Sequence, residues 1–279
     1  MSAVITCTAL LTALPSASQA LVFGSDHRVT VPSDRKSIFA PIGIVYGTPE
    51  ARYATAFLVG DCHALTVQHV FGASRSALGR RAIFAAAVSG PFKAWRTSRA
   101  TVVAEGGLDR RGVGSNGFDR SADWTLLRLD KCLGRTFGSV RLTSDVPASD
   151  EPVQMAGYPS DKALSEGLVV DPDCHVRQRR WGMLLHDCAT LPGNSGSPLY
   201  RIVSEGSRKT LEVFAMDEAG HSFGGQSADL VHPVHAYRWY YANLAATLCG
   251  PLQGYGAVAH SRSAQPMHNT SAVNCTGPV

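Results

Sequence analysis

The chain has 279 residues, of which 44% are apolar and 17% charged, with 27 glycines, 15 prolines and a formal charge of +4. This apolar content is ample for one large or two small packed domains, and the glycine and proline content favours many short strands over a helical bundle. With so mild a charge and no long Lys/Arg tract, a nucleic-acid partner is excluded.

Residues 1–20 carry no charged side chain. An apolar run from Ala3 to Leu14 is followed by Pro15 and then Ser18-Gln19-Ala20, small residues where a signal peptidase needs them. The pattern predicts a secretory signal over 1–20, too short to span a bilayer, and a secreted or periplasmic protein without membrane association once it is removed. Cleavage after Ala20 takes away Cys7, one of seven cysteines, and leaves Cys62, Cys132, Cys174, Cys188, Cys249 and Cys275. An even set behind an export signal argues for three disulfides. No C-x-x-C or H-E-x-x-H pattern is present, so neither a metal nor another cofactor is expected.

From about Ser37 the chain reads as short β-runs separated by turn residues: Ile42–Tyr46, Thr55–Val59, Ala64–Val67, Ala82–Val88, Ala100–Ala104 and Trp124–Leu129. A polar stretch, Thr143–Asp150, precedes a second set: Val153–Ala156, Gly167–Val170, Gly182–Leu185, Pro198–Ile202, Leu211–Met216 and Ala228–Val231. This spacing predicts an all-β barrel or sandwich architecture. The segment His235–Leu248 lacks Gly and Pro and has roughly helical periodicity, so it is expected to be the one long helix. The tail after Gly250 is expected to be irregular. Arg177, Arg179 and Arg180 read as the solvated tip of a hairpin between Cys174 and Cys188.

Three segments carry candidate chemistry. Leu65-Thr66-Val67-Gln68-His69-Val70 places a histidine just after a β-run, and Ala122-Asp123-Trp124-Thr125-Leu126-Leu127-Arg128-Leu129 places an aspartate at the start of another. His63, beside Cys62, is a weaker rival for a base. The third segment is Leu191-Pro192-Gly193-Asn194-Ser195-Gly196-Ser197-Pro198. Glycines on both sides of Ser195 let the backbone turn tightly, so that the amides of Gly193 and Ser195 can converge on a developing oxyanion.

The order His, Asp, Ser is that of chymotrypsin-like enzymes and differs from the subtilisin and α/β-hydrolase orders. On these three segments the chain resembles the trypsin-like serine peptidases, and among them the bacterial secreted enzymes of the glutamyl endopeptidase type, which share GNSGSP. Val22-Phe23-Gly24-Ser25-Asp26-His27-Arg28 also looks like the start of those mature enzymes. The resemblance implies two six-stranded antiparallel β-barrels with a C-terminal helix. The first would occupy 21–142, the second with the helix 143–250, and the irregular tail 251–279. It implies His69, Asp123 and Ser195 as catalytic triad, Gly193 and Ser195 as oxyanion hole, and protein or peptide substrates cleaved by a monomer.

The resemblance places the primary pocket at Ala189–Pro192 and Phe214–Gly220. Thr190 matches a threonine of the glutamyl enzymes, whereas Asp217 stands where they carry a carboxylate-binding histidine. An aspartate there predicts preference for Lys, Arg or a small residue over Glu, unless its side chain turns to solvent. The expected disulfides are Cys62–Cys132 within the first barrel, Cys174–Cys188 around a hairpin, and Cys249–Cys275 tying the tail. A catalytically silent binding module and an esterase are the rival readings. All three catalytic segments are intact, and Ser195 does not sit in a G-x-S-x-G pattern, because position 197 is Ser.

Overall fold

The computed structural model describes residues 26–31, 37–48, 51, 53–72, 76–89, 96–106, 123–163, 166–180, 183–220, 240–244 and 275–276. The expected signal peptide, the Ala228–Val231 run, Cys249 of the expected Cys249–Cys275 pair and most of the tail lie outside them.

Almost every described element is a strand. In chain order they are β1 (Val29–Thr30), β2 (Ile42–Tyr46), β3 (Tyr53–Gly60), β4 (His63–Thr66), β5 (Arg81–Ala86), β6 (Arg96–Glu105) and β7 (Thr125–Leu129). A short helix α1 (Gly134–Phe137) leads to β8 (Arg141–Thr143), β9 (Pro152–Gly157), β10 (Val169–Arg180) and β11 (Met183–His186). The last strands are β12 (Pro198–Glu205), β13 (Arg208–Gly220), β14 (Tyr240–Leu244) and β15 (Cys275–Thr276).

Strands β2-β3-β4-β7-β6-β5 close into a six-stranded barrel. Two-residue alternation drives this: in β6, Ser98, Ala100, Val102 and Ala104 are buried while Arg99 between them is exposed. Phe57, Leu65, Phe84, Leu126 and Leu127 on its strands are fully buried in one apolar cluster. The remaining strands form a second sheet in which β12 pairs with both β9 and β13, so the pairing β9-β10-β11-β14-β13-β12 returns on itself. Its core includes Met155, Val176, Leu184, Leu199 and Phe214.

The expected C-terminal helix is corrected in its described part. Tyr240–Leu244 is a strand, hydrogen-bonded between β11 and β13. Ladder bonds on both edges outweigh the helical spacing of one short segment. The tail likewise contributes Cys275–Thr276, paired parallel to β8.

Two disulfides join Cys62 to Cys132 and Cys174 to Cys188. The second encloses the β10–β11 hairpin, in which Arg180 lies opposite Met183. Arg177 is not a free tip residue there, since it pairs with Asp150 and Asp187. No helix among the described residues is long and apolar enough to cross a membrane.

Candidate active site

His69 opens a 3-10 turn, His69–Phe71, just after β4, with Val70 and Phe71 buried beneath it. Asp123 immediately precedes Trp124 and β7, the strand that pairs with β4. Neighbouring strands therefore bring together residues 54 positions apart. One Asp123 oxygen accepts the His69 backbone N–H at 2.8 Å, and the other lies 2.6 Å from His69 Nδ1. Asp123 is fully buried, whereas the His69 ring keeps 30% of its surface. This leaves the imidazole fixed in orientation and open to solvent at its edge, as a base in a triad requires. His63 instead occupies β4 opposite Arg128. Burial, with Arg128 adding to it, lowers its pKa.

The loop before β12 is braced from several sides. The amide of Thr55 in β3 donates to the carbonyls of Gly193 (3.0 Å) and Ser195 (2.9 Å). The Asn194 side-chain amide donates to the Ala189 carbonyl, and the Ala189 N–H donates to Asp171. Gly193 and Gly196 have φ of +97° and +89°, in the region that favours glycine. A Cβ on Gly193 would stand 2.4 Å from the Tyr158 carbonyl oxygen, and one on Gly196 would stand 2.1 Å from that of Thr55. Both glycines are needed for conformation and for space. Among the described residues, no backbone carbonyl receives the N–H of Gly193 or Ser195. Ser195 and Gly193 are half-buried, and Asn194 between them is buried.

Asp217, in β13, does not turn to solvent. It is fully buried, 3.2 Å from His186 Nε2 and 3.3 Å from the Thr190 hydroxyl. That hydroxyl is also 3.3 Å from the Cys188 carbonyl; its single proton serves one acceptor at a time. Burial pushes the Asp217 carboxyl above its ordinary range, while His186 and Thr190 oppose the shift. His186 was not singled out in the sequence, where no pattern connects it to a residue two strands away. Ala189 and Thr190 lie with Asp217 as one buried group beside the Ser195 loop. Among the described residues, no cluster of His, Cys, Asp or Glu could hold a metal ion.

A closed β-barrel joined to a second, mainly antiparallel sheet, with a carboxylate-held histidine and a glycine-flanked serine loop, defines the class of the chymotrypsin-fold serine peptidases. The chain belongs to the trypsin-like peptidase domain family, whose model matches residues 54–206. No curated protein sequence matches it. Solved structures similar to it include a Glu endopeptidase in complex with MPD. That structure has a TM-score of 0.62 and 16% identity, over 85% of this chain and 99% of that one. The protease Anisep from Arthrobacter nicotinovorans gives 0.52 at 15%, over 78% and 93%. Neuropsin, a serine protease of mouse brain, gives 0.55 at 15%, over 82% and 97%.

Proposed function

We propose that the chain is a secreted serine endopeptidase working through an acyl-enzyme, with His69, Asp123 and Ser195 as its triad. The observation that carries this reading is the double hold of buried Asp123 on His69, at the backbone N–H and at Nδ1. Ser195 Oγ attacks the peptide carbonyl carbon and gives its proton to His69. The oxygen of the tetrahedral intermediate takes its negative charge toward the amides of Gly193 and Ser195. Collapse breaks the C–N bond as His69 returns the proton to the leaving amine. Water, deprotonated by His69, then cleaves the acyl ester and restores Ser195. Asp123 holds the tautomer throughout and offsets the charge of the imidazolium.

Two disulfides among the described residues support an oxidising compartment and therefore the export signal over 1–20. Specificity is assigned to Ala189, Thr190 and Asp217. A substrate Glu would meet the Asp217 carboxylate, whereas Lys or Arg would compete with His186 for it, and a small residue would leave the Asp217–His186 pair intact. Labelling by an organofluorophosphonate at Ser195, together with casein hydrolysis, is the expected result. A folded protein that takes no label is a silent module, and one that takes the label but cleaves only esters is an esterase.

A further inference from the structure

Arg28 is the one buried residue of the segment Asp26–Thr30. Its side chain is 3% exposed and is gripped by two carboxylates. Asp26 accepts from Nε at 2.8 Å and from Nη2 at 2.9 Å. Asp161 accepts from Nη1 at 3.2 Å and from Nη2 at 2.7 Å. Lys162 lies 3.6 Å from Asp26, so the group is charge-balanced. The segment continues as β1 along β10, with the Val31 N–H donating to the Leu168 carbonyl. A guanidinium so far from solvent carries a desolvation cost that only well-placed carboxylates offset, and its bidentate geometry fixes Asp161 in position as well as in charge.

Asp161 belongs to the turn Tyr158–Ala163, closed by the N–H groups of Lys162 and Ala163 on the Pro159 carbonyl. One residue earlier, the Ser160 N–H donates to the Pro192 carbonyl at 2.8 Å. That carbonyl forms one peptide group with the Gly193 amide, so fixing its oxygen fixes the N–H on the other side of the bond. The Tyr158 carbonyl meanwhile abuts Gly193 so closely that no side chain fits there. The Asn194 side-chain amide is occupied with the Ala189 carbonyl.

We propose that Arg28 is a positioning residue for the oxyanion hole: by clamping Asp161 it holds the Ser160–Pro192 hydrogen bond and thereby aims the Gly193 amide. The leading segment thus supports the site through residue 160, with a side-chain cation. This rests on the peptidase reading above.

The test compares wild type with R28M, R28K and D161N, using T30A as a control on the same segment outside the clamp. Each is measured for kcat and KM, for affinity toward a peptide boronate, whose tetrahedral adduct uses the oxyanion hole, and for affinity toward the cleaved peptide product. R28M and D161N are expected to lose about 10- to 100-fold in kcat and in boronate affinity alike, below the effect of deleting a whole oxyanion donor. KM and product affinity should be unchanged. R28K should fall between, because an ammonium cannot grip both carboxylates in parallel, and T30A should match wild type. Thermal unfolding separates these effects from lost stability. Unchanged kcat and boronate affinity in folded R28M and D161N overturns the proposal, as does an equal loss of product and boronate affinity. A folded wild type that neither turns over nor binds boronate instead overturns the peptidase reading, and the positioning role falls with it.

Discussion

Thr55 and Gly193, 138 residues apart, are joined twice: both the amide and the hydroxyl of Thr55 donate to the Gly193 carbonyl, at 3.0 and 2.8 Å. The hydroxyl oxygen also accepts the Tyr158 N–H at 3.1 Å. The closed barrel therefore holds the serine loop of the second sheet through the backbone amide and the hydroxyl of one residue. Thr55→Val keeps the shape and removes the hydroxyl. It leaves the buried Tyr158 N–H without its acceptor, at a cost of about 1–3 kcal/mol. Denaturant unfolding should show this loss, with a kcat reduction alongside it. A Thr55→Val protein of wild-type stability and activity would show that the link does not matter.

Ser195→Ala, His69→Ala and Asp123→Asn should each lower kcat by about four to six orders of magnitude, and their combination should cost little more than the worst single change. Unfolding of the Ser195 and His69 variants should be close to that of wild type, since both side chains reach solvent. Full activity in purified His69→Ala would transfer the base to another group.

For the pocket, fluorogenic peptides differing only in the residue before the scissile bond should be cut best after Lys, Arg or a small residue, and poorly after Glu. Asp217→Ala should weaken the basic preference in particular. His186→Ala should strengthen it, because the Asp217 carboxylate loses the partner 3.2 Å away. Strong cleavage after Glu, or a basic preference indifferent to Asp217→Ala, contradicts this assignment.

Acid should loosen the leading segment. Hydrogen bonding to Arg28 is the main cause that lowers the Asp26 carboxyl from 3.8 to about 2. A carboxyl whose folded pKa is depressed contributes stability above its unfolded pKa and loses it as pH falls through the folded value. The contribution should thus be complete above about pH 4–5 and gone below about pH 2. Asp26 is 38% exposed, which limits the effect to at most about 1 kcal/mol after solvent screening. Unfolding midpoints of wild type and Asp26→Asn should converge across that window. Parallel curves would place the stabilisation elsewhere.

What the sequence determined by itself is short in range. Short runs such as Ala100–Ala104, set off by turn residues, marked strands because apolar and β-branched side chains suit a pleated, half-buried surface. Gly193 and Gly196 marked a tight loop because only glycine meets its backbone angles without strain. The order of His69, Asp123 and Ser195 narrowed the fold because each order belongs to a different chain path. What the tertiary structure decided depends on partners far along the chain. Tyr240–Leu244 has helical spacing yet becomes a strand, since β11 and β13 supply ladder bonds on both of its edges. An aspartate at 217 is compatible in sequence with a solvent-facing loop, and it is His186 and Thr190, from β11 and the loop before β12, that hold it inside. Nothing local in the sequence ties Arg28 or Thr55 to the serine loop. Their importance comes from Asp161 and Gly193, more than a hundred residues away, and contacts at that separation exist only after the chain has closed on itself.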